Sequence, residues 1–289
     1  MIELVKATFR DFMKDDVPRL AAALSYYTAF SLPPLLLLVM MLSGLVLDPQ
    51  DVQGRLVQEM SNAMGPEAAQ QIRSMIEHAD RPGSDGLLMT ILSVAAVLFG
   101  ATGAFAQVQA ALNKAWNIEP RKEGGGLAGL LTKRVLSFGM ILIIVFLLIV
   151  SLVVSAALAA AGSSIAAVLP AGIGSTALAV VDILLSLVVI TILFMTIYRV
   201  LPDAEIAWRD VSIGAFATAV LFVIGKFLLG YYIGHSHLGS AFGAAGSLAI
   251  ILVWIYYSAM IFFLGAEFTQ SWAERRGRGI RPDGEPDPA

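Results

Sequence analysis

The sequence predicts an all-α, polytopic membrane protein. It has six transmembrane helices, a kinked or broken first helix, and a small external helical hairpin. Three observations predict it. Charged residues make up only 14% of the 289 residues and hydrophobic ones 57%, with mean hydropathy +0.78, whereas a soluble domain is about 25% charged. Apolar runs long enough to cross roughly 30 Å of hydrocarbon recur along the chain. Lys and Arg cluster in alternate connections, on the side that six crossings give to both termini.

Residues 1–19 place Ile2, Val5, Phe9, Phe12 and Met13 at helical spacing, with Lys6, Arg10 and Lys14 on another face. This pattern predicts an interfacial helix on the cytoplasmic membrane surface. The transmembrane domain is expected over 20–275, and it opens with the uncharged run 20–47. As one helix that run would reach about 42 Å. Pro33 and Pro34 supply no amide hydrogens, so the carbonyls of Ala29 and Phe30 lose their intrahelical partners. In lipid those carbonyls need another donor, and Tyr26, Tyr27, Thr28 and Ser31 offer hydroxyls beside them. The run is too long for a signal peptide and has no small-residue cleavage pattern, so it is expected to be retained.

Residues 48–85 are polar, with amphipathic pieces on either side of Gly65-Pro66, and are expected to form the external hairpin. Further spans are expected at about 86–111, 135–161, 176–201, 211–234 and 242–268. The second carries small residues at Gly100, Ala101, Gly103 and Ala104, suited to close helix contact. Residues 276–289 are rich in charge, Gly and Pro and are expected to be a disordered cytoplasmic tail. Fifteen of the 19 Lys and Arg fall on the side of the termini and three in the hairpin. The positive-inside rule therefore makes both termini cytoplasmic.

Several chemistries are excluded. The absence of Cys removes disulfides, thiolate metal sites and Cys nucleophiles. GGGLAG at 124–129 matches a dinucleotide pattern in form, but no strand precedes it and a span follows it. HExxH, GxSxG and Walker A patterns are missing. His235 and His237 lack further ligands nearby, so no metal site, cofactor or catalytic residue is expected. The bases follow topology rather than forming an aromatic-rich basic surface, which argues against nucleic-acid binding.

Ionisable groups inside spans are costly and mark functional candidates. Asp182 and Lys226 lie at matched depth, roughly 9–12 Å from the outer side, in spans expected to be antiparallel neighbours. Their pairing has two readings, a packing ion pair or a gate or headgroup site in the outer leaflet. Arg199 and Glu267 stand level at the cytoplasmic ends of spans four and six, where a structural ion pair is expected. Tyr256 and Tyr257 sit near the middle of span six and need hydrogen-bond partners; the carbonyls freed by Pro33 and Pro34 are candidates.

The stretches AAALSYYTAFSLPPLLLL (21–38), ALNKAWNI (111–118), YRVLPD (198–203) and FGAAGSLAIILVWIYYSAMIFFLGAEFT (242–269) resemble the YihY/BrkB family of bacterial inner-membrane proteins, once labelled ribonuclease BN. The resemblance spreads over nearly the whole chain, and the last stretch is its most specific part. It implies six helices in the cytoplasmic (inner) membrane and roles in envelope integrity, serum resistance or transport, lipids included. It does not imply ribonuclease activity, and it brings no settled catalytic residues.

The functional expectation is a transporter or flippase-like protein for a lipid or other amphipathic envelope molecule, with membrane lipids as partners. Its path or gate would involve Tyr26, Tyr27, Ser31, Pro33, Pro34, Asp182, Lys226, Tyr256 and Tyr257. Broken helices and mid-membrane polar groups are where secondary transporters bind substrate. The rival expectation is a structural scaffold whose external hairpin docks a periplasmic protein. An intramembrane enzyme lacks a nucleophile or metal cluster. Homo-oligomerisation is compatible with either main reading.

Overall fold

In a computed structural model of the protein, the described residues are 2–43, 48–64, 66–79, 103, 105–118, 173–235, 246–277 and 279–282. The helices are α1 (Ile2–Lys14), α2 (Val17–Ser43), α3 (Pro49–Met64), α4 (Pro66–Ala79), α5 (Ile173–Val200), α6 (Trp208–His235) and α7 (Gly246–Arg275), with a further helical segment at 105–115. The two-residue strands β1 (Ala204–Glu205) and β2 (Arg281–Pro282) pair antiparallel.

Local chemistry sets the boundaries. Glu3 in the first turn of α1 and Lys14 in its last complement the helix dipole. The chain then turns at Asp16, which takes φ 61°, a left-handed conformation that Asp tolerates better than most residues. Pro18 sits in the first turn of α2, where its missing amide costs nothing. The 105–115 segment ends in a Schellman arrangement: Ile118 N donates to Asn113 O (2.8 Å) and Asn117 N to Lys114 O (3.1 Å). Asn117 takes φ 54° at the left-handed position. Ile118 is then buried beneath the turn.

Three helical stretches among the described residues are long and apolar enough to cross a membrane: Ile183–Val200, Trp208–Tyr232 and Leu248–Arg275. They correspond to expected spans four, five and six. Large apolar side chains on them face outward, including Ile183, Leu184 and Val188 on α5 and Ile224, Phe227 and Leu228 on α6. A surface of that kind suits hydrocarbon rather than water. The first expected span lies in α2 and the end of the second in 105–115; the third lies outside the described residues.

α7 is the hub, packing against α1, α2, α3, α4 and α6, while α5 packs against α6. The main core gathers Val17, Ala21 and Leu24 of α2, Leu112, Ala115 and Trp116, Phe194 and Tyr198 of α5, Val211 and Ala215 of α6, and Phe262, Phe263 and Ala266 of α7. A second cluster at the opposite end joins Leu36 of α2, Ile72 and Ile76 of α4, Leu229 of α6, and Ile250, Ile251 and Ile255 of α7. The expected hairpin is therefore α3 and α4, and its apolar face is spent on the ends of the long helices.

α2 runs as one helix from Val17 to Ser43, so Pro33 and Pro34 do not divide it. Proline's fixed φ is itself helical, which lets the backbone continue through the pair despite the lost donors. The tail expected to be disordered over 276–289 contributes Arg281–Pro282 to a strand pair, in register with Ala204 and Glu205. Two backbone partners on a neighbouring turn order this short piece despite its charged, Gly-rich surroundings.

Candidate functional site

Two polar regions stand on either half of the α6–α7 pair. At the end near α1, the two helices approach unusually closely because of a reciprocal pattern. α6 carries Gly214 and Thr218, α7 carries Gly265 and Thr269, and each glycine faces the threonine of the other helix. A Cβ on Gly214 would overlap Thr269, and one on Gly265 would overlap Thr218 and the Tyr198 hydroxyl. Each threonine donates to the carbonyl four residues before it, Thr218 Oγ1 to Gly214 O and Thr269 Oγ1 to Gly265 O, both at 2.7 Å. The hydroxyls are satisfied within their own helices, and their oxygens occupy the glycine notches. Such small-residue contacts are what holds helices together where lipid removes the hydrophobic drive.

Around this seam the buried polar groups of the motif stretches meet. Tyr198 donates to Phe262 O at 2.5 Å and lies 3.3 Å from Thr218 Oγ1. Trp116 Nε1 donates to Ala266 O at 3.0 Å. Asn113 Nδ2 donates to Asp203 Oδ2 at 2.8 Å, and Asp203 N returns a bond to Asn113 Oδ1 at 3.0 Å. Gln109 Nε2 reaches the other carboxylate oxygen at 3.2 Å. Lys114 Nζ donates to the main-chain oxygen of Asp15 at 2.6 Å. The ALNKAWNI and YRVLPD stretches are thus one bonded unit seated against α7.

Arg199 and Glu267 are not brought together. Arg199 donates to Ile206 O at 2.5 Å and lies over the Trp208 ring, 5.5 Å from its centroid. Glu267 is fully buried on the side of α7 toward α1, and neither of its oxygens has a hydrogen-bond partner among the described residues. Equal depth along two helices does not fix the angle about each axis, and the two side chains leave their helices in different directions. The Arg199–Glu267 ion pair is therefore absent.

Toward the far end, larger side chains lie between the same two helices around Lys226. Phe222, Lys226 and Leu229 of α6 and Trp254, Tyr257 and Ser258 of α7 line a closely packed groove. Phe222 and Trp254 meet edge to face at 6.0 Å, Tyr257 packs against Gly225, and Lys226 Nζ lies 5.5 Å from the Phe227 ring centroid. The groove combines one cation and two hydroxyl-bearing side chains with aromatic and aliphatic walls. As it stands, the groove is filled by its own side chains and holds no open cavity. Asp182 and Lys226 sit at equal distances along α5 and α6 from the connection between them. The Asp182 side chain lies outside what is described, whereas Lys226 faces the groove shared with α7.

The remaining expected residues divide between the helices. Tyr26 and Tyr27 are exposed on α2, with Tyr26 against Phe30 and Gly103 close to the Tyr27 ring. Ser31, Pro33 and Pro34 are helical in backbone. Tyr256 packs against the main core and Tyr257 against the second cluster, beside Ala29 and Leu32 of α2. The described residues hold no group of three or more His, Asp or Glu able to hold a metal. Sequence reasoning missed the Gly–Thr reciprocity, although GAFAT at 214–218 and GAEFT at 265–269 are visibly related.

Long apolar helices held by small residues, with a bonded motif at one end, define an integral membrane protein. The family described as virulence factor BrkB matches residues 8–289, and the chain belongs to it. Among its relatives, a UPF0761 membrane protein of Tolumonas auensis is 26% identical over 95% of this chain and 88% of its own length. A UPF0761 membrane protein of Azotobacter vinelandii is 27% identical over 93% of this chain and 63% of its own. A Bacillus subtilis relative named as ribonuclease-like, YfkH, is 22% identical over 95% of this chain and 97% of its own. The chain spans only 55% of a Ralstonia nicotianae relative that is 28% identical to it. No solved structure matches.

Proposed function

We propose that the protein is a transporter or flippase-like protein that moves an anionic lipid, or another amphipathic envelope molecule, across the bacterial inner membrane. The observation that carries this reading is the Lys226 groove, a single ammonium among Ser258, Tyr257, Trp254 and Phe222 within apolar helices. A lysine there costs free energy unless it meets an anion or snorkels to the surface. Phosphate against the ammonium, with acyl chains along the aromatic wall, is the arrangement that the groove's chemistry favours. The reading includes six spans with both termini in the cytoplasm, a bend at Pro33 and Pro34 in α2, and Asp182 as the acid that holds Lys226 when no headgroup is present.

The scaffold alternative has one observation in its favour, the hairpin itself. That hairpin turns Val52, Leu56, Ile72 and Ile76 inward, however, leaving its apolar face little to offer a periplasmic partner. Ribonuclease chemistry forms no part of the proposal, and the name of the Bacillus relative stays with that protein.

The test is movement of labelled anionic phospholipid between leaflets in vesicles containing the purified protein. Lys226→Ala and Asp182→Ala are assayed alongside, with a Lys226→Glu, Asp182→Lys exchange. The expected result is movement by wild type that falls at least about tenfold in either single variant, equivalent to about 1.4 kcal/mol. The exchange restores part of it if the two residues pair. Movement equal in wild type and Lys226→Ala would sink the groove as the route.

A further inference from the structure

α1 is apolar on two sides, and the protein covers only one of them. Leu4, Thr8 and Phe12 are buried, on a helix that packs against α7 and α2. Ile2, Val5, Phe9 and Met13 form a second stripe and are between 57% and 73% exposed. At about 100° per residue these four fall within roughly 80° of one another around the helix. Phe12, expected to share their side, turns inward instead. Four large apolar side chains in one strip of a 13-residue helix call for a cover other than water.

The charges beside the stripe indicate what that cover is. Going round the helix from the buried face, the apolar stripe comes first, then Lys6, then Arg10. These bases line its open border with side chains 70% and 74% exposed, and their acidic partners Glu3 and Asp11 lie farther round. An apolar strip edged by Lys and Arg suits a bilayer surface, with the strip in the acyl boundary and the bases among the phosphates. α1 is also held at a fitting level. Lys114 donates to the main-chain oxygen of Asp15, just after α1, and Trp116 donates to that of Ala266. The end of α1 therefore lies beside the C-terminal third of α7. Trp208 and Trp272 stand at this same end of α6 and α7, each with an arginine over its ring, Arg199 at 5.5 Å and Arg276 at 4.6 Å. Tryptophan is enriched where hydrocarbon gives way to headgroups.

We propose that the outward stripe of α1 is a docking surface for an anionic bilayer. Ile2, Val5, Phe9 and Met13 enter the boundary between headgroups and acyl chains, while Lys6 and Arg10 meet lipid phosphates. α1 is then held by α7 through Leu4, Thr8 and Phe12 on one side and by lipid on the other. The surface is separate from the Lys226 groove and does not depend on lipid movement.

The chain has no cysteine, so a single Cys substitution gives a unique place for a nitroxide label. Phe9→Cys, Met13→Cys and, as a control off the stripe, Glu3→Cys are labelled in the full chain. Each is placed in nanodiscs of phosphatidylcholine alone or with phosphatidylglycerol added. Collision with oxygen, which concentrates in lipid, is compared with collision with a water-soluble nickel chelate. With phosphatidylglycerol present, the labels at positions 9 and 13 are expected to favour oxygen over the chelate several-fold more than the label at position 3. That preference falls in phosphatidylcholine alone, and it falls with phosphatidylglycerol when Lys6→Gln and Arg10→Gln are added. Equal access of the chelate to all three positions overturns the proposal. So does a preference indifferent to lipid charge and to the two bases. Shielding from both reagents would make the cover a protein contact, and spin–spin broadening that disappears on dilution with unlabelled chain would make it a second copy; either result overturns the bilayer assignment.

Discussion

The two halves of the α6–α7 contact are built on opposite principles. Near α1, Gly214 and Gly265 draw the helices together, Thr218 and Thr269 fill the notches, and Tyr198 and Trp116 bond to carbonyls of α7. Near the hairpin, the contact around Lys226 is made by large side chains, Phe222, Trp254 and Tyr257 among them, with Ser258. One half is a dry seam with its hydroxyls satisfied; the other leaves a cation in a groove. The contrast teaches that one helix pair can be joined by two kinds of contact, a glycine–threonine notch in one half and interleaved large side chains in the other.

Substitutions can break this contrast from either end, and the largest effect is expected at the seam. Gly265→Val places branched carbons where Thr218 and Tyr198 already sit, at a cost of about 3 kcal/mol, the upper part of the range for overpacking. The thermal midpoint of the purified protein should drop accordingly; an unchanged midpoint would show that the seam is looser than described. Asp203→Ala comes next. It strands the buried Asn113 amide and frees Gln109, with an expected loss of about 2 kcal/mol, read by denaturation of the same preparation. Trp116→Phe deletes only the bond to Ala266 and part of a ring, and about 1 kcal/mol should go with the bond.

The smaller effects sharpen the comparison. Asp15 has a raised pKa because it is desolvated. A carboxyl whose folded-state pKa is raised favours the fold fully below the unfolded value and loses that contribution as pH rises through the folded one. Stability should therefore decline as pH climbs from about 3.8, and Asp15→Asn should flatten that part of a stability-against-pH curve. The least effect on stability belongs to Lys226→Met, within about 0.5 kcal/mol of wild type. If Lys226→Met destabilises as much as Gly265→Val, the groove is structural after all and the proposed division of labour fails.

Much of the fold was legible because its signals are local. The long apolar runs at α5, α6 and α7, the amphipathic face of α1 and the division of the polar segment into α3 and α4 are each written in one stretch of chain. The misreadings concern relations between stretches. The depths of Arg199 and Glu267 followed from counting residues, but the direction in which each side chain leaves its helix depends on which helix lies opposite. The Gly–Thr seam escaped notice for the same reason. GAFAT is an ordinary string until GAEFT is known to run antiparallel beside it. Asp15 gave no sign of burial, since only the folding of α1 back along α7 covers it. Pro33 and Pro34 misled in the other direction, because losing two donors is not the same as ending a helix.

The pairing of β2 with β1 has a consequence for biosynthesis. β1 precedes α6 and β2 follows α7, so their ladder ties together the two ends of a helical hairpin at the membrane surface. A chain emerging from the ribosome makes β1 early, yet it cannot close this tie until α7 has been synthesised and has turned back beside α6. The clasp is therefore a late contact in assembly order. It rewards only those insertion intermediates in which both long helices already cross in opposite senses.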